Sequence, residues 1–70
     1  MNSTELKVQM IRKGKTAEDL YTALGISSTA WFRKVSGKSA FTQGEISSLI
    51  NELDLDDELL RTIFFSGEVS

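Results

Sequence analysis

The 70-residue chain contains no cysteine, no histidine and no proline. Without Cys and His it has no disulfide, no thiol chemistry, no zinc finger and no His-dependent catalytic constellation. Its apolar residues come in short runs broken by polar ones, so no segment predicts a membrane span. The bases Lys7, Arg12 and Lys13 stand where a signal peptide would have its apolar stretch. We therefore expect an intracellular, cytoplasmic protein.

Charge is unevenly distributed along the chain. The net charge is -2 and the isoelectric point is about 4.9, which is unusual for a nucleic-acid binder. Residues 1–40 nevertheless carry a balance of +4, whereas residues 41–70 carry -6. This division predicts a basic working face and an acidic far side. The alternative is that these charges merely solvate the outer faces of helices.

The spacing of apolar residues is helical along nearly the whole chain. In the clearest stretch, Ala17, Leu20, Tyr21 and Leu24 occupy positions i, i+3, i+4 and i+7 on one helix face. No alternating stretch is long enough for a β-strand. The sequence predicts one all-α domain over residues 1–70, a compact five-helix bundle with a short tail at 66–70. The helices are expected near 3–13, 16–24, 27–36, 42–53 and 56–65.

Capping signals mark the helix boundaries. Thr16 and Asp19 are spaced as a capping box, and so are Thr42 and Glu45. Gly25 stands where the chain has to turn sharply between two helices, which requires a positive φ. We expect these residues to start the second and fourth helices and to end the second.

The segment from residue 16 to residue 38 indicates two short helices around a tight turn. Gly25 permits the turn, and Ile26 is expected to fill the corner between the helices. Trp31 and Val35 lie four residues apart and predict the inner face of the second helix. Its outer face is then available to a partner. This is the arrangement of a helix-turn-helix, whose second helix can lie in a DNA major groove.

An ordered set of motifs runs from about residue 6 to residue 65. It comprises 10–16 (MIRKGKT), 19–20 (DL), 23–27 (ALGIS), 31–38 (WFRKVSGK), 41–42 (FT) and 45–46 (EI). In this order and spacing the chain resembles the Cro/repressor (XRE-like) helix-turn-helix family, particularly small phage regulators of Gram-positive bacteria. The resemblance implies a lambda-repressor-like fold and a transcriptional regulator that binds a double-stranded DNA operator. Such a protein would act in the cytoplasm of a bacterial host, on the nucleoid when bound.

The resemblance also implies roles for individual residues. The recognition helix would be 27–36, and its base contacts would be Ser27, Ser28, Thr29 and Phe32. Phosphate contacts would come from Thr16, Arg33, Lys34, Lys38 and Lys15. Two positions depart from the family pattern. Tyr21 stands where a small residue is usual, and Ser28 stands where Arg, Lys or Gln is common, which predicts modest intrinsic DNA affinity.

A protein-interaction module is the competing interpretation. The fifth helix carries more apolar residues than one face requires, and we predict a dimer or partner surface at Leu60, Phe64 and Phe65. Its partner would be a second copy or a phage repressor, in which case the chain would act as an antirepressor or modulator. No nucleophile with a base and no phosphate-binding loop is recognisable, so we expect no enzyme and no metal or other cofactor.

Overall fold

The computed structural model describes residues 1–65, and within them it contains five α-helices and no β-strand. The helices are α1 (Ser3–Lys13), α2 (Ala17–Leu24), α3 (Ser28–Val35), α4 (Gln43–Leu53) and α5 (Asp57–Phe64). The all-helical prediction is confirmed, and the expected bounds differ only where they included a capping residue. The predicted tail at 66–70 lies outside the described residues.

Each helix begins at a polar side chain that accepts a hydrogen bond from the first turn. The N-caps are Asn2, Thr16, Ser27, Thr42 and Asp56. Such caps satisfy backbone N–H groups that have no partner within the helix. Both predicted capping boxes are complete, because the Asp19 carboxylate accepts from the Thr16 N–H at 2.9 Å and Glu45 accepts from the Thr42 N–H at 2.8 Å. The local sequence therefore sets where these two helices start.

Left-handed residues end three of the helices. Gly14 (φ 68°) and Gly25 (φ 72°) end α1 and α2, as their positions after apolar periodic segments predict. Asp54 ends α4 with φ 50°. This left-handed conformation costs energy in a residue other than glycine, because the side chain crowds the backbone. The short α4–α5 turn is therefore held in a strained backbone state.

One apolar cluster joins all five helices. Its fully buried side chains include one from each helix, namely Leu6, Leu20, Trp31, Leu49 and Ile63. The prediction that Trp31 belongs to the core is confirmed, since only 2% of it is exposed. Tyr21 is half-buried against the same cluster, and α2 still packs on α3. The tyrosine is thus accommodated while α2 and α3 remain in contact.

An aromatic row extends this core towards α5. The Phe41 ring meets Trp31 edge-on on one side and Phe64 on the other, with centroid distances of 5.7 and 5.8 Å. The backbone N–H of Asn2 donates to the carbonyl of Ile63 at 2.6 Å, which ties the start of α1 to the end of α5.

No helix within residues 1–65 is long and apolar enough to cross a bilayer.

Candidate nucleic-acid interface

The outer face of α3 is open to solvent, in contrast to its inner face. Phe32 is 59% exposed although its neighbour Trp31 is buried, because successive helical residues point about 100° apart. Val35 packs against the core from the inner side. The exposed residues at the start of the helix and along this face are Ser27, Ser28, Thr29, Phe32 and Arg33. The predicted division of the helix into two faces is confirmed.

The α2–α3 turn holds this face in place. Gly25 adopts the left-handed conformation, and the next N–H, that of Ile26, donates to the Tyr21 carbonyl at 3.0 Å. Ile26 is half-buried and packs against the core cluster. Because the turn is closed by a backbone hydrogen bond and anchored by an apolar side chain, α3 projects from the body in a defined orientation.

Ser27 has a structural task at the start of α3. Its Oγ accepts a hydrogen bond from the Ala30 N–H at 3.1 Å. The Ser27 hydroxyl can still donate one hydrogen bond, but one of its two acceptor positions is already occupied. Ser28 and Thr29 follow in the first turn with exposed side chains. The exposed polar side chains at the start of α3 are therefore short hydroxyls.

A shallow groove lies along the outer face and collects several of the predicted contacts. Its lining consists of Thr29, Phe32, Arg33, Ser36 and Lys38. The structure thus brings two predicted base contacts together with two predicted phosphate contacts. Ser36 also lines the groove and was not among the predicted contacts. Its position four residues after Phe32 places it on the same helical face, and this spacing could have predicted it.

Lys38 reaches this groove because the segment after α3 folds back on the helix end. The N–H groups of Lys38 and Ser39 both donate to the Arg33 carbonyl, at 2.9 and 3.2 Å. Gly37 makes the reversal with φ 90°. Arg33 and Lys38 are both exposed and both line the groove, so the groove carries two positive charges near the C-terminal end of α3.

Lys34 does not point towards this groove. Its ammonium donates to Glu45 Oε1 at 2.9 Å and to the Ala40 carbonyl at 3.0 Å, and it lies 5.8 Å from the Phe41 ring centroid. The side chains of the Lys34–Glu45 pair are only 13% and 14% exposed. The charge of Lys34 is therefore compensated within the protein, and its predicted phosphate contact stays a prediction that the groove itself does not support.

Lys15 and Thr16 are also engaged within the protein. The Lys15 ammonium lies 3.5 Å from Glu52 Oε1, and both side chains are about a third exposed. The Thr16 N–H donates to Asp19, and this hydrogen bond is the main cause that lowers the pKa of Asp19 below its ordinary value. A carboxylate therefore already occupies the start of α2, which weakens the expectation of a phosphate there.

Within residues 1–65, the acidic half of the chain forms ion pairs with the basic half. The Lys15–Glu52 pair brings the acidic end of α4 next to the basic α1–α2 turn. Asp54 ends α4, and Asp56 caps α5 by accepting from the Leu59 N–H at 2.8 Å. Within residues 1–65 no three acidic side chains are grouped as a metal ion would need.

The predicted partner surface on α5 is smaller than expected. Leu60 is half-buried, and Phe64 packs against the core and Phe41. Of the three predicted residues only Phe65 is exposed, at 49%. Ile11 on α1 is a more exposed apolar residue, at 80%, and was not predicted as part of a partner surface.

Comparisons of the chain with protein-family models, with curated proteins and with solved structures gave no match.

Proposed function

We propose that the protein is a sequence-specific regulator of transcription that binds double-stranded DNA through a helix-turn-helix formed by α2 and α3. The observation that carries the proposal is the groove on the outer face of α3, where Thr29 and Phe32 lie beside Arg33 and Lys38. Short polar and apolar groups that can contact base edges thus adjoin two cations that can contact phosphates. The motif resemblance to Cro/repressor-like phage regulators points to the same use of this helix.

The exposed side chains of α3 and the side chain of Lys38 have different roles in this proposal. α3 lies in the major groove, where Ser28 and Thr29 donate to or accept from base edges. Phe32 contacts a thymine methyl group, and Arg33 with Lys38 binds phosphates on one strand. Arg and Gln can each make two hydrogen bonds to one base, and such a pair contributes about 1–3 kcal/mol of discrimination against the wrong base. Hydroxyl groups discriminate between bases less well. We therefore expect phosphate contacts to supply most of the affinity.

A titration with a generic duplex tests the proposal without knowledge of the operator. ¹⁵N-labelled protein is titrated at low salt with a duplex of about 18 base pairs, for which non-specific dissociation constants of about 10⁻⁴ to 10⁻⁶ M are expected. Amide shifts should concentrate on residues 27–33 and 36–38 and should disappear as salt is raised. Shifts spread over the whole surface, or none at high duplex concentration, would contradict the proposal.

Paired charge removals sharpen the test. Arg33→Ala should lower the slope of log K against log salt by about one unit, because it removes one phosphate contact. Lys13→Ala is the matched control, since Lys13 is an exposed cation at the far end of α1 and does not line the α3 groove. Equal effects of the two substitutions would indicate attraction by overall charge and not a defined face.

Protein recognition is the second candidate function, and the exposure of Phe65 favours it. Phe65 lines a depression between α5 and the segment after α3, whose apolar side chains include Met1, Phe41 and Phe64 and which Lys34 and Lys38 also line. A second copy or a repressor would bury it. Phe65→Ser separates the two candidates: it should leave duplex binding by a monomer unchanged and abolish an activity that depends on a protein partner.

A further inference from the structure

Lys34 and its partners connect the end of α3 to the start of α4. We call Lys34, Ala40, Thr42 and Glu45 the α3–α4 bridge. Glu45 Oε1 accepts from the Lys34 ammonium at 2.9 Å and from the Thr42 N–H at 2.8 Å, so one oxygen joins both helices. Lys34 also donates to the Ala40 carbonyl at 3.0 Å. The segment between the helices is thus fastened close to both of its ends.

The segment that this bridge spans carries Lys38. On the α3 side, Gly37 N–H donates to the Lys34 carbonyl, and Lys38 N–H donates to the Arg33 carbonyl. On the α4 side, the side chain of Lys34 holds Ala40. Lys38 lies between these attachments, and its side chain lines the α3 groove with Arg33. The conformation of residues 37–40 therefore depends on Lys34 through both its backbone and its side chain.

The charged pair of the bridge, Lys34 and Glu45, is largely shielded from solvent. Both charged side chains are mostly buried, and the Lys34 ammonium lies over the ring of Phe41, which itself contacts Trp31. Hydrogen bonds to charged partners in such surroundings are stronger than exposed ones. The pair is thus suited to hold a loop, whereas an exposed lysine beside Glu45 would contribute little.

We infer that Lys34 is a positioning residue for DNA binding, which acts through Lys38 by means of the α3–α4 bridge and makes no phosphate contact itself. This inference rests on the proposed function. A lysine next to the recognition face would ordinarily be expected to bind a phosphate, and the two roles predict opposite results for its partner Glu45. If Lys34 were a phosphate ligand restrained by Glu45, freeing it would strengthen DNA binding.

Glu45→Gln provides the decisive measurement. The substitution removes a negative charge, which by itself favours DNA binding, while the amide oxygen can still accept from Thr42 N–H and preserve the cap. Because the charged bridge is lost, we expect duplex binding to weaken several-fold, on the order of the coupling energies of contacting residues. Tighter binding of the Glu45→Gln protein would overturn the inference.

A double-mutant cycle tests the route through Lys38. Lys34→Met should weaken binding about tenfold in the native chain but less than about twofold in a Lys38→Ala background. Lys34→Arg should restore most of the affinity, since a guanidinium can also donate to Glu45 and Ala40. Lys13→Met is the matched control for loss of one positive charge, since Lys13 is exposed and does not line the α3 groove. Additive effects of Lys34→Met and Lys38→Ala would overturn the inference.

An experiment without DNA separates this inference from the proposed function. In ¹H–¹⁵N spectra of the free protein, Lys34→Met and Glu45→Gln should shift the amides of residues 37–41, including Lys38, and should leave α1 and α2 unchanged. Unchanged amides at 37–41 would overturn the bridge as a positioning device. If these amides shift but the native protein binds no duplex, the bridge exists and the proposed function is wrong. Circular dichroism confirms that each variant is folded at the temperature used.

Discussion

The rings of Trp31 and Phe41 meet edge to face at 5.7 Å, with their planes inclined by 68°. This contact joins the inner face of α3 to the segment that precedes α4. Phe41 continues to Phe64 in a second edge-on contact, so one ring links α3 to α5. The orientation of the exposed face of α3 therefore depends on an aromatic row on its opposite side.

Phe41→Leu should lower the free energy of unfolding by about 1–2 kcal/mol, because both aromatic contacts are lost while apolar volume is largely kept. Urea denaturation followed by far-ultraviolet circular dichroism measures this loss. Phe65→Leu is the control, since the half-exposed Phe65 ring should change stability by less than about 0.5 kcal/mol. Equal losses in the two variants would show that the aromatic row has no special contribution.

Asp54→Gly should raise the free energy of unfolding by about 0.5–1 kcal/mol, because glycine adopts the left-handed conformation at φ 50° without steric cost. Asp56→Ala is matched in charge, since it also removes one carboxylate from the α4–α5 turn. It should instead destabilise the protein by about 1 kcal/mol through loss of the cap on α5. Thermal unfolding of both variants decides between conformation and charge. Shifts of the same sign would mean that charge relief dominates.

Acid should weaken the fold in part through Glu45. The Thr42 N–H is the main cause that lowers the pKa of Glu45, and Lys34 adds to it. A carboxyl whose pKa is lower in the folded state stabilises the protein above its unfolded pKa of about 4.3, and this contribution is lost as pH falls through the folded value. The stability gap between native protein and Glu45→Gln should therefore shrink as the pH is lowered from neutral to below that unfolded value. A gap that is constant over this range in urea titrations would contradict the assignment.

Phe32 offers a test of base recognition at the level of one methyl group. Once a preferred site has been selected from random duplexes, replacing each thymine by uracil removes only the methyl group. If Phe32 contacts one thymine methyl group, uracil at that position should weaken DNA binding by the native protein. The same uracil should have no effect on DNA binding by Phe32→Ala. Phe32 is 59% exposed, so Phe32→Ala should unfold within about 0.5 kcal/mol of the native protein. Equal sensitivity of both proteins to every uracil would exclude the contact.

Local features of this fold could be predicted from the sequence because their partners are close in the chain. The two capping boxes join residues three apart, such as Thr16 with Asp19, and the left-handed turn at Gly25 needs only glycine after an apolar helix. The two faces of α3 follow from helical periodicity alone. Predictions of this kind depend on geometry within one or two turns.

Features that depend on packing between helices could not be predicted in the same way. Lys34 pairs with Glu45, eleven positions away, and the choice between a phosphate and an internal carboxylate depends on how α4 is placed. One signal was present, since Lys34 follows Trp31 by three positions and shares its inner side. The burial of Gln9, whose side-chain amide donates to Glu5 at 3.3 Å, depends on how α1 docks on the bundle. The docking of α5 likewise decides that Phe64 packs against the core while Phe65 is exposed.

The two-faced character of α3 has a consequence for how such a protein changes over generations. Ser28, Thr29, Phe32 and Arg33 are exposed, and only Ser27 at this face is committed to a cap. Substitutions at these four positions should cost little stability, whereas Trp31 and Val35 hold the helix from behind. Selection can therefore alter what the exposed face recognises by point mutation, without passing through unfolded intermediates.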